Sequence, residues 1–144
     1  MYDAVVIGGG PGGYVAAIRG AQLGGKIALV ESKRIGGTCL NVGCIPTKAL
    51  VHSASTYLKV KDSERYGVRS EGVSLDMDLV MAHKENTVEQ LVSGVERLVK
   101  GNNVDVINGR AQILSAGQVE VIMADGAKEV LDTKNIVIAT GSSP

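Results

Sequence analysis

Cys39 and Cys44 are the only cysteines in 144 residues, and Leu40-Asn41-Val42-Gly43 separates them. They lie within Gly36-Gly37-Thr38-Cys39-Leu40-Asn41-Val42-Gly43-Cys44-Ile45-Pro46-Thr47-Lys48, downstream of a glycine cluster at 8–13. Two thiols so spaced can open and close as a disulfide, bind a metal, or sit inert in a core. On an ideal helix, positions five apart are turned by roughly 140° and rise about 7.5 Å, which leaves their Cα atoms about 9 Å apart. A disulfide needs Cα atoms within about 7 Å. If the two sulfurs join, the segment is not one regular helix, and Gly43 and Pro46 supply the expected interruption. A zinc site needs about four ligands, and only His52 and His83 remain to complete one, at no spacing that marks it. Both histidines read as ordinary helix residues.

The upstream cluster, Gly8-Gly9-Gly10-Pro11-Gly12-Gly13, fits the GxGxxG spacing through Gly8, Gly10 and Gly13. Gly8 is read as the tight turn off a strand, Gly10 as the approach of backbone to a pyrophosphate, and Gly13 as close helix–strand packing. Small Ala16 and Ala17 help to seat the helix, whose N-terminal partial positive charge faces the phosphates. Glu31 closes the next apolar run, eighteen residues after Gly13. That acid is placed to accept hydrogen bonds from adenosine ribose hydroxyls, and its charge repels a 2′-phosphate. The fingerprint alone leaves open whether the nucleotide is NAD or FAD.

The elements that must position these groups are legible as alternating periods. Residues 2–7 and 26–31 read as buried parallel strands, with a helix over 11–24 between them. The glycines at 36–43 read as tight turns around a ligand, and after them a helix is expected from Pro46 to about Lys61, since proline suits a first helical turn. Residues 62–74 read as polar loop. The longest helical pattern covers 76–100, where Met77, Val80, Met81, Val88, Leu91, Val92, Val95, Leu98 and Val99 form a core-facing stripe that stops at Gly101. Residues 104–107 form a short strand, 111–132 a small antiparallel meander with turns at 115–117 and 124–126, and 135–139 an apolar strand. This order fits one domain, an open α/β sheet with an antiparallel layer on one side.

Composition narrows the function classes. The 15 basic and 15 acidic residues balance, with no basic block. That argues against nucleic acid or an anionic membrane as the main partner. No apolar run approaches the roughly 18 residues of a membrane span. Met1 is followed at once by strand-like sequence, so a cytoplasmic location is expected, or the mitochondrial matrix if the numbering follows removal of a presequence. In a reducing compartment two close cysteines point to catalysis or metal binding rather than a structural staple.

The segment from Gly36 to Leu50 resembles the redox-active stretch of the flavin-dependent disulfide reductases, nearest to their dihydrolipoamide dehydrogenase branch. The likeness runs from the fingerprint to Ala139-Thr140-Gly141-Ser142-Ser143-Pro144. Thr47 departs mildly, since that branch commonly has serine there. The resemblance implies a Rossmann-like, three-layer FAD-binding domain over 1–144. Cys39 would be the interchange thiol that meets the dihydrolipoyl group of a 2-oxo acid dehydrogenase complex, and Cys44 the thiol against the flavin. Lys48 would lie near flavin N5, where a cation stabilises negative charge on reduced flavin and lowers the thiol pKa. Gly8, Gly10 and Gly13 would line the pyrophosphate, and Glu31, with Ser32 and Lys33, the ribose. Gly37 and Thr38 would sit near the phosphates and ribityl chain, Gly109 and Ala111 beside the adenine, and Thr140-Gly141 close to the cofactor.

The resemblance also implies a parent homodimer. In it electrons pass from the dihydrolipoyl dithiol through the Cys39–Cys44 disulfide and FAD to NAD⁺. A second fingerprint for NAD and a C-terminal dimerisation domain are absent from these residues, so the chain is expected to be the N-terminal FAD-binding part and inactive alone. Alternatives are a glutathione or mercuric reductase of the same family, or a non-catalytic nucleotide-binding or redox-sensing module.

Overall fold

The computed structural model describes residues 1–142; Ser143 and Pro144, the end of the resembling stretch, lie outside the described residues. Four parallel strands form the central sheet: β1 (Ala4–Ile7), β2 (Ile27–Glu31), β3 (Asp105–Asn108) and β7 (Ile136–Ile138), in the order β3-β2-β1-β7. Register is tight, with Val5 opposite Ala28 on one side and Ile136 on the other. A separate antiparallel sheet contains β4 (Arg110–Ser115), β5 (Gln118–Ile122) and β6 (Lys128–Asp132) in sequence order.

The alternation of strand side chains builds a core on each face of the parallel sheet. Val5, Ile7, Ala28 and Val30 point to one side and meet Val119, Val121 and Leu131 of the meander. Val6, Ile27 and Leu29 point to the other, where they meet Ala17 of α1 (Pro11–Gln22) and Val99 of α4 (Met77–Gly101). The result is three layers, antiparallel sheet, parallel sheet and helices. It is the expected class, with β1 and β2 hydrophobic on both faces because both faces are covered.

Two helices depart from the sequence reading, and both bear on the cysteines. Residues 37–41 are not tight turns but a short helix, α2 (Gly37–Asn41), and α3 runs Cys44–Lys61, starting two residues before Pro46. The interruption falls at Val42 and Gly43, while Pro46 sits in the first turn of α3, where a missing N–H breaks no bond. Counting glycines misled here, because within 36–43 only Gly36 and Gly37 take left-handed backbone, the N-cap and the first residue of α2. Part of the 62–74 loop is likewise a 3₁₀ turn, Ser63–Tyr66.

The α4 stripe also divides. Val88, Val92 and Val99 are buried, but Met77, Met81, Leu91 and Leu98 are exposed, because the apolar residues continue round the helix beyond the face that α1, α2 and α3 cover. Asp76 caps this helix by accepting the Leu79 N–H at 3.1 Å. On its covered face, Val88 and Val92 pack against Leu40 of α2, which anchors the first cysteine's helix to the scaffold.

The junction of β1 and α1 admits no side chains. A Cβ on Gly13 would lie 1.7 Å from the Gly8 carbonyl oxygen, and one on Gly8 would lie 2.2 Å from that of Ala139. Gly13→Ala is therefore expected to destabilise the fold by about 3 kcal/mol or more, by forced backbone movement. Gly24→Ala, where φ is +88° but no atom lies within 4 Å, is expected to lose only about 1–2 kcal/mol through left-handed strain. Urea unfolding midpoints measure both, and similar losses in the two variants would contradict the packing argument.

Candidate active site

A cleft of about 1230 Å³ opens at the C-terminal ends of β1, β2 and β7. This is where open parallel sheets place ligands. It exceeds the roughly 300–1,000 Å³ of ordinary small-molecule pockets. Of the residues singled out in the sequence, Gly8, Gly10, Glu31, Ser32, Lys33 and Gly37 line it, as do Thr38, Cys39, Cys44, Thr140 and Gly141.

Its floor is the fingerprint loop. Gly10 forms the N-cap of α1, with no side-chain hydrogen bond and no acidic residue in the first turn. The helix end therefore keeps its partial positive charge for an anion in the cleft. Gly13 does not touch the cleft; it is buried beneath the turn, where it lets α1 approach Gly8. The crowding near Gly10 is felt by its neighbour: a Cβ on Gly37, at φ +56°, would lie 2.7 Å from the Gly10 Cα atom.

At one end of the cleft, Glu31 is held by two backbone donors. Its Oε2 accepts the Gly9 N–H at 2.6 Å and its Oε1 accepts the Lys33 N–H at 2.8 Å. Each carboxylate oxygen keeps lone-pair capacity for a further hydroxyl donor. Gly9 was not singled out by the sequence reading. Its role was hidden in a variable position of the fingerprint, yet a Cβ there would lie 3.0 Å from Glu31 Oε2.

Gly109 and Ala111 stand behind this corner and are not among the residues that line the cleft. Gly109 donates its N–H to the Glu31 carbonyl at 2.9 Å, and Ala111 packs against the core between the sheets. Arg34 was also overlooked; it lines the cleft and pairs with Glu89 of α4 at 2.7 Å.

Along the wall, the break between α2 and α3 brings the cysteines together. The Thr38 carbonyl accepts both Val42 N–H at 3.0 Å and Gly43 N–H at 2.7 Å, which closes α2 and turns the chain. A Cβ on Gly43 would lie 3.0 Å from the same carbonyl oxygen. Cys39 sits within α2 and Cys44 begins α3, both as free thiols next to one another on the cleft wall.

The adjacent Cys44 thiol, then partial burial, raises the Cys39 pKa above its ordinary value, while the Lys48 ammonium pulls it down less strongly. Lys48 thus lowers the Cys39 pKa, in the expected direction, but the neighbouring Cys44 thiol outweighs it. Lys48 is exposed on α3, one turn after Cys44, and lies outside the cleft lining. The first turn of α3 carries no acidic residue and no side-chain cap. His52 and His83 are exposed helix residues, and no group of three or more metal-ligating side chains occurs among the described residues.

Residues 2–144 match the family model described as pyridine nucleotide-disulphide oxidoreductase. The chain belongs to this family. It is 47% identical over 142 residues to dihydrolipoyl dehydrogenase of Geobacillus stearothermophilus, covering 99% of this chain and 30% of that protein. It is 49% identical over 142 residues to the mitochondrial dihydrolipoyl dehydrogenase of Dictyostelium discoideum, covering 97% of this chain and 29% of that one. A solved structure, the Cu(II) complex of the HOCl-induced flavoprotein disulfide reductase RclA from Escherichia coli, superposes with a TM-score of 0.80 at 30% identity. That match covers 97% of this chain and 28% of the RclA chain. The chain thus spans about 30% of the length of the curated relatives it matches.

A flavin is the cofactor that membership implies, and the site suits a dinucleotide. Gly8 and Gly13 have no room for a side chain, the helix end is uncapped, and Glu31 is oriented with acceptor capacity to spare.

Two outcomes are expected. Glu31→Ala leaves the Gly9 N–H without its acceptor, so the variant should lose about 1–3 kcal/mol in urea unfolding. Removing Cys44 removes the main cause of the raised Cys39 pKa. Reduced Cys44→Ala should therefore be alkylated at Cys39 by iodoacetamide faster than the wild type at pH 8. Adding Lys48→Gln to that variant should slow it again. An unchanged rate in Cys44→Ala would contradict Cys44 as the main cause of the raised Cys39 pKa.

Proposed function

We propose that the chain is the FAD-binding, redox-disulfide part of a dihydrolipoamide dehydrogenase, oxidising the dihydrolipoyl group of a 2-oxo acid dehydrogenase complex with NAD⁺ as final acceptor. One observation carries the reading: the paired sulfurs of Cys39 and Cys44 share a single cleft with an uncapped dinucleotide cradle. A bound nucleotide that exchanges electrons with sulfur at this wall is a flavin, which favours FAD over NAD here. The 47% identity to dihydrolipoyl dehydrogenase supports the choice of substrate.

In this reading Gly10 and the α1 N-terminus hold the pyrophosphate, and Glu31 takes the adenosine ribose. Thr38, Thr140 and Gly141 border the middle of the cofactor. When bound, FAD accepts the electron pair of the dithiol and hands it on as hydride.

The protein's own part is thiol chemistry. One thiolate of the dihydrolipoyl group attacks the Cys39 sulfur of the oxidised pair, so a mixed disulfide forms as the Cys39–Cys44 bond breaks and Cys44 leaves as thiolate. The second substrate thiol then attacks the substrate-side sulfur, closing the lipoyl disulfide and releasing Cys39. Lys48 and the amino end of α3 provide positive potential for the thiolate left on Cys44.

The absorption spectrum of the purified intact protein tests this. A flavin band is expected, with a long-wavelength charge-transfer shoulder on two-electron reduction that disappears in Cys44→Ser; in Cys39→Ser, which has no disulfide to open, the shoulder is expected before any reductant is added. A spectrum with no flavin, or a shoulder indifferent to residue 44, would overturn the reading. Residues 1–144 alone are expected to show negligible lipoamide-dependent NADH turnover, because the hydride-accepting step calls on sequence outside them.

A further inference from the structure

Asn41 lies between the two cysteines, and the thiol chemistry described above does not use it. Its Nδ2 donates to the Ile35 carbonyl at 3.1 Å and to the Gly37 carbonyl at 3.0 Å, in a partly buried setting. Both partners are acceptors, so only the NH₂ end can face them, and the orientation of the amide is settled by chemistry. Both of its hydrogens are used.

We propose that Asn41 is a positioning residue for the redox pair: its carboxamide laces the end of α2 back to residues 35–37, so the two sulfurs meet beside the nucleotide cradle. The inference rests on the reading of Cys39 and Cys44 as a redox couple. A five-residue helix has little stability of its own. Leu40 seats one side of it on Val88 and Val92, and the Val42 and Gly43 N–H bonds to Thr38 shape its C-terminal turn; the side-chain tie from that end to the Ile35 carbonyl is made by Asn41.

The 35–37 loop is what is fixed. Ile35 is buried in the core beneath α1, Gly36 donates its N–H to the Gly9 carbonyl at 2.8 Å, and Gly37 lies against Gly10. Asn41 carries that anchorage to the segment holding both sulfurs. An apolar residue would take the side-chain donor from both carbonyls, and a carboxylate would set negative charge against both.

The readout is the thiol–disulfide equilibrium of the pair in the intact protein, titrated with glutathione. Two glutathione thiols reduce the Cys39–Cys44 disulfide to two thiols and become one glutathione disulfide, so atoms and electrons balance without any flavin. Asn41→Asp and Asn41→Leu are expected to shift this equilibrium toward the dithiol at least tenfold, about 30 mV for a two-electron couple. The control is Asn102→Leu, which removes a similar side-chain bond, Nδ2 to the Leu98 carbonyl at 2.7 Å, at the far end of α4. It should leave the equilibrium within twofold of wild type.

Should Asn41→Leu fail to fold, the isosteric Asn41→Asp carries the test. Equilibria within twofold of wild type in the Asn41 variants would overturn the proposal, as would an equal shift in Asn102→Leu. Either result leaves the redox reading standing. A wild-type protein whose cysteines form no intramolecular disulfide with glutathione would instead remove both.

Discussion

The arrangement of the whole site depends on one backbone contact, the Gly36 N–H donating to the Gly9 carbonyl at 2.8 Å. It joins the two segments that the chemistry needs, the nucleotide-binding turn after β1 and the cysteine-bearing stretch after β2. Close approach depends on Gly37, where a Cβ would lie 2.7 Å from the Gly10 Cα atom. The same turn gives its Gly9 N–H to Glu31, so a single loop sets the distances among acid, helix end and sulfur pair. The core beneath then has a specific task. Buried Ile35 and Leu40 tie that loop and α2 to the helical layer, so the contact does not rest on hydrogen bonds alone.

Electrostatics at the pair follow from the same geometry. Two neighbouring thiols do not both ionise readily, because a charge on one sulfur makes loss of the remaining proton harder. This outweighs the pull of Lys48 at Cys39. The asymmetry suits a relay in which one sulfur exchanges with a substrate while the other carries charge. Chain direction supplies it: Cys39 lies inside a short helix, and Cys44 opens an 18-residue one.

Most of the architecture was readable because it follows from period. Strands at 4–7 and 27–31 are apolar without a break, as a sheet covered on both faces requires, and the meander's turns were marked by glycine. The fingerprint and Glu31 were equally legible, since spacing alone puts them at the carboxyl ends of neighbouring strands. What escaped was tertiary. The helix at Gly37–Asn41 is held by Leu40 packing on α4 and by Asn41 reaching back, and neither contact leaves a periodic trace in five residues. Gly9 and Arg34 escaped for a related reason: their partners, Glu31 and Glu89, come from other elements. The α4 stripe was overextended because hydrophobicity marks what is able to be buried, not which neighbour arrives to bury it.

The antiparallel sheet has a consequence for how the chain reaches this state. It covers the face of β1 and β2 that carries Val5, Ile7, Ala28 and Val30, yet it is made of residues 110–132. The strand that flanks β1, Ile136–Ile138, comes later still. While the ribosome is still adding residue 110, one side of the nascent sheet is bare and β1 lacks a neighbour. Ordering of the amino-terminal strands must therefore wait for the last quarter of these residues to emerge, and long-range closure of this kind is slow. Until residues 110–138 emerge, the nascent chain therefore carries an uncovered apolar half-sheet.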